Sequence, residues 1–252
     1  MAVRALVTND DGIDSPGLVT LARCARDLGW QPIIAAPATE SSGTSAGLTA
    51  ARNHRQVAVA RRTLADLPDV PAYAVAAHPG LIVLAACHDG FGERPDVVLS
   101  GVNRGGNVGR AILHSGTVGA ALTAAVNDAR AVAVSLDSPL EPVAPPNWDA
   151  AAAATTRLLP FAAACDPGTV LNVNVPDTAR PGPPRWARLA TYGRVQTKVT
   201  QLAGGTIEVG SVEVAGELEP GTDAELLADG FVTVTALHSV HEDDELMRRD
   251  LP

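Results

Sequence analysis

Two adjacent carboxylates, Asp10 and Asp11, close the apolar run Val3 to Thr8 (VRALVT) and stand just before Gly12. Anions held that close repel, so both stay ionised only where a cation sits between or beside them. Hard divalent ions take carboxylate, hydroxyl, amide-carbonyl and water oxygens. Ser42, in Glu40-Ser41-Ser42-Gly43, and Asn103, in Ser100-Gly101-Val102-Asn103, supply neutral oxygens of that kind. Asp10, Asp11, Ser42 and Asn103 are therefore the candidate ligands of one divalent ion, Mg²⁺ or Mn²⁺. A second set of residues suits phosphate. The stretch from Gly101 to Gly109 (GVNRGGNVG) is glycine-rich, and such turns expose backbone N–H groups to an approaching anion. His114-Ser115-Gly116-Thr117 then leads into a helical pattern, and a helix N-terminus is a natural anion site.

This gives each residue a role in a phosphate site. Gly105, Gly106 and Gly116 offer backbone N–H groups. Asn107, Ser115 and Thr117 offer side-chain donors, and Asn9 completes the polar cluster after the first run. Asp10 or Asp11 orients or deprotonates the attacking water, or attacks directly. Asn107 and Ser115 join the two carboxylates as candidate catalytic residues, and His114 is a candidate general acid. Each feature also has a plain structural reading: an Asp-Asp-Gly turn cap, an N-cap at Ser115 or Thr117, a surface histidine at position 114. His54, His78, His88, His238 and His241 show no ligand spacing and read as structural. The acidic run from Glu242 to Glu245 reads as a solvated tail.

The positioning elements follow from periodicity. A strand over Val3 to Thr8 is followed by a helix from Pro16 to Leu28, with Leu18, Leu21, Ala22 and Ala25 on one face, and by a strand from Gln31 to Ala36. Further strands are expected at Tyr73 to Ala76, Asp96 to Leu99, Ala131 to Ser135, Thr169 to Val175 and Phe231 to Thr235. Helices are expected at Leu81 to Cys87, Thr117 to Asn127 and Trp148 to Ala164, with Pro139 to Pro146 as a linker. Strand–helix–strand order with continuous apolar strands indicates a doubly wound α/β fold with a mostly parallel sheet. Ligands of such sheets bind beyond the carboxyl ends of the strands, where the three polar clusters fall. After about Pro176 the pattern alternates, as at Thr206 to Val214, which reads as a β extension over roughly 177–222 of a single domain.

The chain has 252 residues, 46% of them apolar and only 3% aromatic, so aliphatic side chains must fill the core and stacking platforms for single-stranded nucleic acid are scarce. A net charge of −9 repels polyanions, which argues against a nucleic-acid coat but not against a small phosphate ester held by a cation. Cys24, Cys87 and Cys165 are odd in number and lack a CxxC, so they read as reduced thiols. Neither a signal-like run before Asp10 nor a bilayer-length apolar stretch is read, and the expected compartment is the cytoplasm. GxxxxGK[ST], a GxGxxG after the first strand, and GxSxG are all absent.

Leu6-Val-Thr-Asn-Asp-Asp-Gly-Ile13 and Ser15-Pro-Gly-Leu18 resemble the opening of the SurE family of 5′/3′-nucleotidases, and Ser100 to Gly109 and Ile112 to Val118 resemble its second signature. Leu171 to Pro176 and Asp223 to Leu237 match later segments more loosely. The resemblance implies a Rossmann-like three-layer αβα sandwich with a C-terminal β-hairpin extension used in assembly, here as a homodimer or homotetramer. It implies divalent-metal-dependent hydrolysis of nucleoside 5′- and possibly 3′-monophosphates. It carries the two metal Asp onto Asp10 and Asp11, the Asn onto Asn103, and the Ser onto Ser42, with Ser41 as the neighbouring alternative. This chain departs from the family at Ala36-Pro37-Ala38, at Ser41 and at Ala77 to Ile82. Two rival functions stand beside a nucleotidase: a phosphatase or exopolyphosphatase for another phosphorylated metabolite, and a non-catalytic nucleotide-binding module.

Overall fold

The structure is a computed structural model that describes residues 2–41, 43–48, 56–139, 144–192, 195–201, 207–213, 217–240, 242 and 247–248. The first half runs β1 (Arg4–Thr8), α1 (Pro16–Asp27), β2 (Gln31–Pro37), β3 (Val59–Leu64), β4 (Leu67–Val75), α2 (Pro79–Cys87) and β5 (Val97–Arg104). A 3-10 turn at Gly109–His114 leads into α3 (Gly116–Ala125), then β6 (Arg130–Asp137), α4 (Trp148–Ala164) and β7 (Val170–Pro176). Beyond these come β8 (Gly182–Trp186), β9 (Val195–Gln201), β10 (Ile207–Glu213), α5 (Asp223–Ala228) and β11 (Phe231–Leu237).

Nine strands form one sheet in the order β3-β4-β2-β1-β5-β6-β7-β11-β8, and β9 pairs with β10 as a separate antiparallel ribbon. The central run from β4 to β7 is parallel throughout; β3 and β11 join their neighbours β4 and β7 antiparallel. The fold is thus an α/β sandwich of Rossmann-like design, as the alternation of apolar runs and helices requires. Successive residues of each strand face opposite layers. Ala5, Val7, Val97, Leu99, Val132 and Val134 pack with α1 and α4, while Leu6, Val98, Ala131 and Ala133 pack with α2 and α3. The second layer is lined largely by alanine, which lets α2 and α3 lie close to the strands and to each other.

Several boundaries differ from the sequence expectation, each for a local reason. The β3 strand was not expected: its residues 59–63 are exposed, so it carries no apolar alternation to read. Its partner β4 begins at Leu67 rather than Tyr73, because Pro68 and Pro71 interrupt the pattern of a strand that is nonetheless paired with both neighbours. Helix α2 starts at Pro79, two residues early, with proline in the first turn where it costs no hydrogen bond. Strand β5 continues past Leu99 to Arg104 through a cis Gly101–Val102 peptide and a register shift between Ser100 and Asn103. Gly101 has φ +134°, and a Cβ there would lie 2.2 Å from the Val134 carbonyl oxygen, so glycine alone fits. Gly182–Trp186, inside the stretch read as an extension, is the edge strand of the main sheet.

The chain leaves β1 for β2 on one side and, after α2, returns to β5 on the other. The carboxyl ends of β1 and β5 therefore flank the topological switch point, which opens a crevice there.

Candidate active site

A cleft of about 670 Å³ lies at this switch point, lined among others by Asp10, Asp11, Glu40, Asn103, Arg104, Asn107, His114, Ser115 and Gly116. Seven of the sequence-predicted residues line it, from three separate segments of the chain. Asp10 and Asp11 follow β1, Asn103 is next to last in β5 with Asn107 just beyond it, and His114 and Ser115 lead into Gly116, the first residue of α3. Ser42 lies outside the described residues, between Glu40 and Gly43, which both line the cleft.

Asn9 is fully buried and holds the turn that presents the carboxylates. Its Nδ2 donates to the Gly12 carbonyl at 3.1 Å, and the Gly12 N–H donates to its Oδ1 at 3.2 Å. Both polar ends of the amide are spent on the turn, so Asn9 shapes the site rather than lining it. Asp10 is 6% exposed and sits against the N-terminus of α3. Thr117 donates its hydroxyl to Asp10 Oδ1 at 2.6 Å, and its backbone N–H also supports the carboxylate. A Cβ on Gly116 would lie 2.7 Å from Asp10 Oδ2, so the glycine is what lets the carboxylate reach the helix end. Burial nonetheless pushes the Asp10 carboxyl up, against the pull of these Thr117 bonds.

Asp11 is pushed up to about 6 by burial and then by the Asp10 charge, with the Arg104 N–H opposing. Its Oδ2 is buried and meets no hydrogen-bond partner among the described residues. An orphaned carboxylate oxygen beside a second buried carboxylate has the chemistry of a cation ligand. Asn103 fits the same reading: its Nδ2 donates to the Gly105 carbonyl at 2.8 Å, which commits the donor end and leaves Oδ1 as the end with ligand chemistry. Among the described residues no three His, Cys, Asp or Glu side chains gather into a metal group. A cation here would therefore rest on two carboxylates and neutral oxygens.

The glycine-rich loop is not the open phosphate cradle its sequence promised. The Gly105 N–H donates to the Leu136 carbonyl at 2.8 Å, the Asn107 N–H to Asn174 Oδ1 at 2.7 Å, and the Gly109 N–H to Asp223 Oδ2 at 2.8 Å. Gly105 and Gly106 do not line the cleft. Gly106 instead lies where a Cβ would meet Asp137 Oδ1 at 2.7 Å. Asn107 lines the cleft, but its Nδ2 is committed to Ser135 Oγ at 2.8 Å and its carbonyl accepts from Asn172 and Asn174, each at 2.9 Å. Thr117 is fully buried with its hydroxyl spent on Asp10. Anion-binding capacity falls instead to the start of α3. Ser115 Oγ accepts from the Val118 N–H at 3.1 Å as the N-cap, which leaves its own proton to donate, and exposed His114 lies beside it.

Four residues that sequence reasoning passed over hold this arrangement. Asn172 and Asn174, both fully buried in β7, pin the loop through Asn107. Two asparagines at i and i+2 inside an otherwise aliphatic strand (VLNVNVP) are a readable signal, because a buried amide needs a partner. Asp223, fully buried, accepts from the N–H groups of Gly109, Ala190 and Ala224 at 2.8–2.9 Å and staples the loop to the C-terminal segment. Asp177 accepts from Asn147 N and Nδ2 and from Ser138 Oγ at 2.6–2.8 Å, and so ties the segment before α4 to the end of β7. Asp177 and Asp223 sit next to Pro176 and Thr222, and nothing in those neighbours marks either as a long-range staple.

The chain matches the family described as survival protein SurE over residues 5–199. It is 34% identical to a protein named 5′-nucleotidase SurE 1 from Burkholderia lata, over 98% of this chain and 94% of that one. It is 36% identical to a 5′-nucleotidase SurE from Heliobacterium modesticaldum, over 94% and 86%. The crystal structure of the SurE protein from Aquifex aeolicus superimposes with a TM-score of 0.80 at 24% identity, covering 97% of each chain, and so shares the fold. Together, the match over residues 5–199 and relatives above 30% identity along nearly the whole length establish that this chain belongs to the SurE family.

Proposed function

We propose that the protein is a divalent-metal-dependent phosphomonoesterase that releases phosphate from nucleoside monophosphates. The observation that carries this reading is the pair of mutually repelling carboxylates at the switch-point cleft, Asp10 buried and Asp11 half-buried with an orphaned oxygen. The names of the relatives, 5′-nucleotidases, supply the substrate class. The described lining residues carry three carboxylates, Asp10, Asp11 and Glu40, against one guanidinium, Arg104, so a phosphate dianion meets net repulsion unless a cation is present.

Asp10, Asp11 and Asn103 would hold that cation, with Ser42 as the fourth ligand carried by the family resemblance. When bound, a divalent ion supplies a Lewis acid for a phosphate oxygen and neutralises negative charge at the reacting phosphorus. The chain's own residues do the rest. Thr117 and the α3 N-terminus fix Asp10 in one orientation. Ser115 Oγ and the Gly116 N–H donate to phosphate oxygens, aided by Arg104. A carboxylate oxygen of Asp11 accepts a proton from the attacking water, and His114 delivers one to the departing ester oxygen. The β9–β10 ribbon we assign to the pairing of two or four copies, which sedimentation velocity on the full chain tests.

The test of the activity is phosphate release from a panel of nucleoside monophosphates, p-nitrophenyl phosphate and polyphosphate, with Mn²⁺, Mg²⁺ or EDTA, alongside Asp11→Asn. Release that needs metal and vanishes in the variant is the expected result. Turnover of polyphosphate alone, or nucleotide binding without release, would replace the proposal with one of the two rival functions.

A further inference from the structure

Part of the cleft lining is apolar, and the polar machinery described above makes no use of it. Pro16, Pro146 and Trp148 line it, and Trp148 is the single aromatic residue among the described lining residues. In a chain with 3% aromatics, the placement of an indole beside a phosphate site is a specific feature. Trp148 opens α4 and is partly buried against the core, with part of its surface in the cleft.

The ring has a seat and its backbone is fixed. A Cβ on Gly17 would lie 3.2 Å from Trp148 Cζ3 and 2.0 Å from the Val102 carbonyl oxygen, so the glycine at the start of α1 provides the seat for the indole. The residue before Trp148 is clamped: Asp177 Oδ1 accepts from both Asn147 N at 2.8 Å and Asn147 Nδ2 at 2.7 Å. The Trp148 N–H closes a turn onto the Pro146 carbonyl at 2.9 Å. A flat π face fixed in advance binds a flat ring without first losing side-chain freedom. The flanking prolines add rigid apolar surface with no backbone N–H to satisfy.

Resting on the nucleotidase reading, we infer that the Pro16–Pro146–Trp148 wall is the leaving-group subsite and that Trp148 sets the preference for esters bearing a nucleobase by stacking on it. Stacking on an aromatic side chain tolerates any base because every base has a π face, and it strengthens with ring area. The wall therefore favours purine over pyrimidine nucleotides, and both over an aliphatic ester such as glycerol 2-phosphate. Asp177 is a positioning residue for the ring and touches no substrate.

The experiment measures kcat/KM on AMP, CMP and glycerol 2-phosphate with Mn²⁺ for the wild type, Trp148→Phe and Trp148→Leu. The leucine variant keeps an apolar group on the Gly17 seat and removes the π face; circular dichroism checks that α4 persists. The expected result is a fall of about tenfold in the AMP-to-glycerol-phosphate ratio in Trp148→Leu, carried by KM for AMP, with most of the ratio kept in Trp148→Phe. A merely structural tryptophan would lower both substrates together and leave the ratio in place, and that outcome overturns the inference. Quenching of indole fluorescence by adenosine, lost in Trp148→Phe, is the readout that does not depend on turnover. Wild-type protein that releases no phosphate from any ester refutes the nucleotidase reading alone, because adenosine quenching still decides whether the wall binds a base.

Discussion

The two ends of β1 handle charge in opposite ways. At its amino end Arg4 meets Asp96 with three donors, its backbone N–H at 2.9 Å, Nε at 3.2 Å and an Nη at 2.8 Å, and reaches Glu93 at 2.6 Å with the other Nη. That guanidinium holds the Asp96 carboxyl below its usual range. At the carboxyl end Asp10 and Asp11 are more deeply buried, and among the described residues no ion pair reaches either. Burial pushes both up. Stability alone would place the cation where desolvation is worst, and the chain places it where the carboxylate is 39% exposed. Perturbed carboxylates in a cleft, with no ion pair among the described residues, mark a site tuned for something other than folding.

The largest expected effect breaks the comparison at Asp11. Asp11→Asn keeps the shape and removes one charge from the cleft, and we expect kcat with Mn²⁺ to fall on the order of 10³-fold. In EDTA the same variant should be more stable than the wild type, because it removes a half-buried charge that the Arg104 N–H offsets only in part. A thermal melt in EDTA that shows Asp11→Asn to be less stable would mean the carboxylate is paired in the folded protein, and the contrast between the two ends would be lost.

Asp223 sharpens the comparison: burial pushes its carboxyl up too, without a cation, yet three backbone N–H groups oppose the shift and hold it in place. Asp223→Ala should cost about 2–3 kcal/mol, because it strands the Gly109 and Ala190 N–H groups. Urea unfolding measures this, and Asp223→Asn, which keeps an acceptor, should recover part of the loss. Turnover by the folded Ala variant should also fall, since Gly109 anchors the loop that carries Asn107. An unchanged kcat/KM would separate the staple from the site.

What the sequence could disclose follows the same division between local and distant partners. Asp10, Asp11 and Asn103 stand at the ends of apolar strands, and a parallel sheet brings strand ends together, so a local pattern was enough to find them. The glycine-rich loop misled because its composition shows what the backbone can do, not where its N–H groups go. Those of Gly105, Asn107 and Gly109 are taken by Leu136, Asn174 and Asp223, partners 31 to 114 positions away, the last two of these distances being 67 and 114. The hydroxyl of Thr117 is likewise claimed by Asp10, 107 positions earlier. Trp148 is legible as the start of a helix but not as part of a cleft, because the glycine that seats its ring, Gly17, comes from α1, far away in the chain. Strand β3 was hidden for a simpler reason: an exposed edge strand carries no buried face to leave a period in the sequence.

The pH dependence tests whether burial separates the two ends. Asp11 in the folded protein sits at about 6, above its ordinary 3.8, so between those values the folded state holds the proton more tightly than the unfolded one. Its contribution is fully present below the unfolded value and is lost as pH rises through about 6. The stability of metal-free wild type relative to Asp11→Asn should therefore fall between pH 4 and pH 7, by about 1–2 kcal/mol. Asp96, shifted the other way, contributes above its ordinary range and loses that contribution as pH falls. Parallel melts of the wild type and Asp11→Asn in EDTA across this range isolate the Asp11 component. A difference that stays flat, or that grows in favour of the wild type at neutral pH, would show that Asp11 is not burdened by burial.

The smallest effect is expected at Asp96 itself. Asp96→Asn removes the charge that Arg4 grips, but Arg4 retains Glu93, and the site is open enough for water to screen the pair. Exposed ion pairs contribute little, so the loss should be about 0.5–1 kcal/mol at low salt. At 1 M salt it should shrink further, because the screening length drops to roughly 3 Å. Turnover should not change, since the amino ends of the strands are a sheet's length from the cleft. The salt response is the informative part. A loss that is small and salt-sensitive at Asp96, set against a gain at Asp11 that salt barely moves, is what a paired surface carboxylate and an unpaired buried one must show. A loss at Asp96 above about 2 kcal/mol would instead mean that its backbone and side-chain bonds to Arg4 pin the start of β1, and that the amino end is a structural anchor as deeply committed as the Asp223 staple.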